Sequence, residues 1–363
     1  FIPQKQFKIG DYIVSNNSKP LIISEVGINH NGDINIAKKL IDHIDKYTYD
    51  EITGDRFNKC NAIKLTKRDL SEELSVDAMN KPYTGSNSFG KTYGEHREFL
   101  ELSYEDHAEL GNYIKSKGFE FVQTFCSVKT LTLLDMVKVD KIKVASRDLT
   151  NIPLIKAIAK RPEDVILSTG MASKSDLHNT IKVFEKAGKT NISILHCLSQ
   201  YPSEYTKLNL VTIQWLKDHY PSYIIGYSDH SLGTHIPVAA VAMGAKIIEK
   251  HVTLDINMKG SDHKGSADMV TFHNMVHDIR SLEFSLGDWD MFREEVVEDT
   301  KVKLERSLAL KHKMLIGEVL TKDDVHMISP GDGYKWEDLP QLIGKTFKRT
   351  AEENTIIKDE LFN

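Results

Sequence analysis

Cysteine is scarce in this chain, three residues in 363, and Cys60, Cys126 and Cys197 stand far apart, each beside an apolar run. That spacing argues against a disulfide framework and reads as reduced, packed thiols in a cytoplasmic protein. An excess of one charge is also lacking, since 47 Lys and Arg face 52 Asp and Glu for a formal net of -5. No global basic field exists to hold nucleic acid or an anionic membrane, so neither is expected as a partner. No apolar run approaches a membrane span, and the opening FIPQKQFKIG has no signal-peptide hydrophobic stretch. The first apolar segment is not followed by G-x-G-x-x-G, which counts against a dinucleotide-binding fold.

What is present is a regular alternation. From Leu21 to about Leu286, short β-prone runs alternate with longer segments of helical period, the pattern of a parallel sheet covered by helices. Eight runs qualify as strands: LIISE from 21, NAIKL from 61, FEFVQT from 119, KIKVA from 141, DVILS from 164, ISILH from 192, IIGYS from 224 and AKIIEK from 245. Eight such units over this length predict an α/β chain forming a closed (β/α)₈ TIM barrel over residues 1–286. A short hairpin over 7–20, turning at Asn16-Asn17, is expected to close its bottom. Polar stretches at 47–59 and 70–100 read as long loops flanking the second strand, with Gly85 to Glu95 as a candidate lid. A charged linker over 287–303 leads to a small, mainly β module over 304–363, with one short helix near Thr321 to Val325. Such a module is small for an isolated core and is expected to dock on something.

A barrel of this kind places its site at the carboxyl ends of its strands. Nearly every candidate strand here ends in a polar group. Lys64 and Lys143 are the sharpest pair, because a strand interior rarely holds Lys unless its charge is matched, and an anion between them would match both. The hydroxyls of Thr124, Ser146, Ser168 and Ser228 are placed to donate to that anion, which suits a small molecule bearing carboxylate and phosphate. Glu25 and Asp148 supply carboxylates at two further ends, and Ser199 with Tyr201 lie past the sixth. His230 and His251 follow adjacent strands and can reach one point above the barrel, forming an open divalent-metal site that polarises a carbonyl. His196 reads equally well as a satisfied core histidine and is left outside that set.

At these residues the chain resembles the sialic acid synthase family along nearly its whole length. The resemblance is carried by SEVGINHNG from 24, AIKLTKRD from 62, GKTYGEHREFLEL from 90, KVASRDLTNIPLI from 143, LSTGM from 167, HCLSQYP from 196, IGYSDHSLG from 225 and EKHVTLD from 249 with KGSDH from 259. From Arg306 onward, Gly317-Glu318, SPGDG and LIGK are similar to the antifreeze-like (SAF) domain that such enzymes carry. The resemblance implies condensation of phosphoenolpyruvate with N-acetylmannosamine or its 6-phosphate, with Mn²⁺ or Mg²⁺ as cofactor; the alternative is the same chemistry on another hexosamine, as in legionaminic, pseudaminic or spore-coat sugar synthases. It further implies a homodimer in which the C-terminal module covers the partner's barrel. Carried over by position, it implies that Lys64, Thr124, Lys143, Ser146, Ser168, Ser199 and Ser228 hold phosphoenolpyruvate and that His230 and His251 ligate the metal. Glu25, Thr66, Tyr201 and Asp262 would meet the sugar, and Glu25 or Asp148 would handle a proton.

Several positions depart from the family's pattern. Thr66 stands where bacterial members often have Gln, Asp148 where Glu is usual, and Ser329-Pro330-Gly331 where an Arg often reaches the acceptor. The stretch from Lys67 through GKTYGEHR is similar to the branch whose acceptor is phosphorylated. Lys67, Arg68, Lys91 and Arg97 read as solvated loop charges, with phosphate binding as the alternative.

Overall fold

The computed structural model of the protein describes residues 6–9, 12–15, 18–47, 60–287 and 295–363. Two short strands, β1 (Gln6–Ile9) and β2 (Tyr12–Ser15), pair antiparallel with Ile9 opposite Tyr12. The chain therefore reverses ahead of Tyr12 and not at Asn16-Asn17, which lie outside the described residues.

Eight parallel strands follow: β3 (Leu21–Gly27), β4 (Ala62–Lys67), β5 (Glu120–Phe125), β6 (Lys141–Val144), β7 (Asp164–Ser168), β8 (Ile192–Cys197), β9 (Ile224–Asp229) and β10 (Ile247–His251). They close into a barrel in which β10 pairs with β3. All eight lie on the runs read from the sequence.

Period-two alternation sorts the side chains. Leu21, Ile23, Ala62, Val122, Ile166, Leu195, Ile224 and Ile247 form one buried cluster inside the barrel. The alternate residues, such as Ile22, Ile63, Phe121, Ile142, Val165, Ile194, Ile225 and Ile248, join a second core with the surrounding helices. Moving two residues along the inward face from the first cluster reaches Glu25, Lys64, Thr124, Ser168, Cys197 and Glu249. The inner face is thus apolar at the amino end and polar at the carboxyl end. That polarity defines where a site can form.

The 70–100 segment is not a loop. It folds as helices Leu70–Glu73, Val76–Asn80 and Tyr93–Leu100, the last opened by a capping box between Thr92 and Glu95. Phe89 stacks on Phe99 at 4.7 Å and lies 5.9 Å from His96, giving the insertion its own aromatic packing. The 48–59 part of the other polar stretch lies outside the described residues.

Residues divide into two compact units, Phe1–Gly287 and Asp288–Asn363. Of the charged stretch read as a linker, 288–294 lie outside the described residues, and Glu298–Leu304 is a short helix. The second unit has its own apolar core, including Leu308, Leu310, Leu320, Phe347, Ile357 and Phe362. It is built on antiparallel β11 (Ser307–Leu310) and β12 (Val325–Ile328), with a 3-10 turn at Lys322–Asp324 where a helix was expected. A second short helix, Leu339–Leu342, was not foreseen.

Candidate active site

A cavity of about 250 Å³ opens at the carboxyl ends of the barrel strands, and its wall brings together most of the polar strand ends. Lys64 and Lys143 are both buried, so neither is a solvated edge lysine. Their charges are matched from within the protein. Lys64 Nζ lies 3.1 Å from Glu25 Oε1 and 3.4 Å from Glu249 Oε1, while Lys143 Nζ lies 3.4 Å from the same Glu249 oxygen. Ser228 Oγ donates to Glu249 Oε1 at 3.0 Å, and Lys64 Nζ donates to Thr124 Oγ1 at 3.2 Å. Thr66 Oγ1 donates to Glu25 Oε1 at 3.1 Å. Register explains the cluster, since β3 to β4 pairs Glu25 with Lys64 and β9 to β10 pairs Ser228 with Glu249, and in-register neighbours share a face.

The two carboxylates are driven apart in acidity. Burial raises the pKa of Glu25, and repulsion from Glu249 adds to this against the pull of Lys64. Burial acts the same way on Glu249, but Lys143, Lys64 and the Ser228 hydroxyl outweigh it and hold its carboxyl down to about 2. Glu249 is therefore a fixed anion between two lysines, and Glu25 is the carboxyl able to gain and lose a proton.

Several buried atoms in this wall have no partner: Glu25 Oε2, Glu249 Oε2, Ser168 Oγ and His251 Nδ1. Buried polar atoms are almost always bonded, so a group of orphans on one cavity marks the place of a ligand. Ser146 and Ser199 complete the hydroxyl set, held apart from each other by Gly170. The backbone N–H of Gly170 donates to Ser146 Oγ at 2.9 Å, and a Cβ on Gly170 would stand 2.4 Å from Ser199 Oγ.

His230 and His251 face each other with ring centroids 5.3 Å apart, and Tyr201 packs 4.0 Å from the first ring and 5.5 Å from the second. His230 Nδ1 donates to the carbonyl of Leu198 at 2.8 Å, which orients the ring. Burial, then repulsion from His230, pushes His251 well below the ordinary imidazole range, so it is neutral. The neutral His251 with its orphaned Nδ1, the His230 ring facing it and the nearby Glu25 carboxyl are donor types that suit a divalent cation. Among the described residues no three His, Cys, Asp or Glu side chains are gathered so as to hold a metal ion.

The profile of the NeuB family matches residues 56–291, and that of the SAF domain matches 305–363. The chain belongs to the NeuB family. It is 34% identical over 344 residues to the N-acetylneuraminate-9-phosphate synthase of Homo sapiens, covering 94% of this chain and 92% of that protein. It is 33% identical over 347 residues to the N,N'-diacetyllegionaminic acid synthase of Campylobacter jejuni, covering 94% and 99%. Among solved structures, the citrate complex of the N-acetylneuraminic acid synthetase of Leptospira borgpetersenii superposes with a TM-score of 0.69 at 30% identity, covering 82% of this chain and 95% of that one.

For this NeuB-family chain, the cavity gathers Glu25, Lys64, Thr66, Thr124, Lys143 and Ser146 with Ser168, Ser199, Tyr201, Ser228, His230, His251 and Asp262. Asp148 is absent from the wall. Its Oδ2 accepts from Arg147 Nε at 3.2 Å, so that carboxylate is engaged in orienting an arginine. His196 is a satisfied core histidine, bonded to the carbonyl of Leu208 at 2.7 Å. Sequence reasoning missed Glu249, although its signal was there: a Glu inside the apolar run AKIIEK, on the inward side with Ile247. It also misplaced Lys67, Arg68 and Arg97, read as solvated but 5%, 6% and 7% exposed, while Lys91 is exposed as expected. None of Gly85 to Glu95 lines the cavity; the insertion contributes Arg97 instead.

Proposed function

We propose that the chain condenses phosphoenolpyruvate with N-acetylmannosamine or its 6-phosphate, giving N-acetylneuraminate or its 9-phosphate and inorganic phosphate. The observation that carries this reading is the cavity itself, where two buried lysines and a ring of hydroxyls from the strand ends line one wall. Lys64 and Lys143, with Thr124, Ser146, Ser168, Ser199 and Ser228, hold the donor's carboxylate and phosphate. Glu25, Thr66, Tyr201 and Asp262 meet the acceptor and set its aldehyde against C3 of the donor. His230 and His251 would hold Mn²⁺ or Mg²⁺, which when bound supplies Lewis-acid polarisation of the acceptor carbonyl.

A carbon–carbon bond forms from C3 of the donor to the aldehyde carbon, whose oxygen becomes a hydroxyl. Positive charge then develops at C2, water adds there, and the tetrahedral species expels phosphate by C–O cleavage to leave the keto acid. Glu25 takes the proton released by that water, a task that its raised pKa and unpartnered Oε2 suit. Asp148 acts through Arg147.

The likeness to a legionaminic acid synthase supports a second reading, in which the same donor chemistry acts on another hexosamine. A homodimer, with the SAF unit over the partner's barrel, is part of the proposal, and exposed Leu315, Ile316 and Trp336 offer apolar surface for it. A cytoplasmic setting is proposed from the three buried cysteines, none in a disulfide. No described helix is long and apolar enough to cross a membrane. Phosphate release from phosphoenolpyruvate, followed with and without the hexosamine and with divalent metal supplied, tests the function. Sugar-dependent release is expected, and release indifferent to every hexosamine offered sinks it.

A further inference from the structure

One side of the cavity carries more positive charge than the protein neutralises. Arg68, Arg97 and Arg147 all line it, and Lys67 stands behind them with its Nζ donating to the carbonyl of Leu102 at 2.6 Å. These four cations share three carboxylates. Arg68 Nε bonds Glu73 at 2.7 Å, and Arg147 reaches the same Glu73 oxygen at 3.9 Å and Asp148 at 3.2 Å. Arg97 and Lys67 divide Glu101, each at 3.7 Å, too long for a hydrogen bond. Arg97 Nε is buried with no partner at all.

A buried guanidinium with an orphaned donor is costly unless an anion arrives to use it. Repulsion adds to that cost, because burial and then Arg68 depress the Arg97 pKa. The anion is not already accounted for by the donor, whose lysines, Lys64 and Lys143, sit on the barrel strands with Glu249 between them. The arginines come instead from the ends of β4 and β6 and from the 70–100 insertion, on the rim.

We propose that Arg68, Arg97 and Arg147 form an anion cradle selecting an acceptor sugar that carries a phosphomonoester at the end remote from its aldehyde. This rests on the functional reading above and narrows it to the phosphorylated acceptor. Planar forks match phosphate oxygens two at a time, and a dianion answers an excess that a hydroxyl cannot.

The test compares kcat/KM for N-acetylmannosamine 6-phosphate and N-acetylmannosamine at saturating phosphoenolpyruvate, in the native chain, Arg97→Gln and Arg147→Ala. Arg147 is more than a third exposed, so its truncation keeps the test interpretable should Arg97→Gln misfold. The native enzyme is expected to favour the phosphorylated sugar by at least about tenfold, and each variant to collapse that ratio toward one. A native ratio at or below one overturns the proposal. So does a rise in KM for phosphoenolpyruvate in place of the acceptor, which would put the arginines on the donor phosphate. No turnover with either sugar would count against the functional reading, and the cradle is then judged by calorimetry with inorganic phosphate in the presence of phosphoenolpyruvate. Saturable binding lost in Arg147→Ala supports it; no binding, or binding unchanged in the variant, overturns it.

Discussion

Glu25 and Glu249 share one lysine yet titrate in opposite directions, and this split assigns their roles. Glu25→Gln keeps the shape but cannot accept a proton, so kcat is expected to fall by about 10² or more with a smaller change in the KM for phosphoenolpyruvate. Steady-state kinetics against both substrates checks this, and an unchanged kcat would remove Glu25 from proton transfer. Gly170→Ala would press a methyl group against Ser199 Oγ and Ser146 Oγ. The KM for phosphoenolpyruvate is expected to rise about tenfold or more, a misplacement effect readable in the same assay. Most of these residues were legible in the sequence because each follows an apolar run at a strand end. Glu249 was not, because it lies inside an apolar run two residues before His251, where a carboxylate has no strand-end position to mark it. Asp148 also follows a strand end, and there its carboxylate meets Arg147 and lies off the cavity wall.

Among the elements, the eight strands were readable because buried parallel strands are short runs rich in apolar, β-branched residues. The 70–100 insertion was not, because its helices are only four to eight residues long and its apolar residues pack on one another as aromatic pairs, giving no clear period. That same misreading made Arg68 and Arg97 look solvated. Outside the cavity, β9 and β10 are joined by a fully buried ion pair between Asp229 and Lys250, whose Nζ also donates to the carbonyl of Ser231. Lys250→Met leaves Asp229 buried without its counter-charge and is expected to cost about 3 to 5 kcal/mol of stability, measured by urea unfolding of the barrel. A loss within about 0.5 kcal/mol would mean that Asp229 is satisfied by backbone donors alone.

Across the whole molecule, buried histidines set the acid limit of stability. Burial lowers His30 to about 4 and His107 to about 3, against an ordinary value of 6.5. Below pH 6.5 the unfolded chain takes up protons that the native chain refuses, so stability falls as pH falls, down to the native values. Each such histidine contributes a slope of about 1.4 kcal/mol per pH unit. His107 lies outside the cavity and bonds Gln123 at 3.3 Å, so His107→Gln should remove one such slope between pH 6.5 and about 3, whatever its effect at neutral pH. An unaltered pH profile of unfolding would contradict the assignment. The division into a barrel and a small β module was legible from the charged stretch after Gly287, whereas the helix within that stretch was too short to announce itself.

The central claim concerns bonds made and broken, and one isotope experiment reads it directly. Phosphoenolpyruvate labelled with ¹⁸O at its bridging oxygen is turned over with the hexosamine, and both products are weighed by mass spectrometry. The account predicts that the label leaves in the phosphate, one phosphate for each nine-carbon keto acid formed. Label kept in the keto acid, or phosphate released with no sugar-derived product, would contradict it.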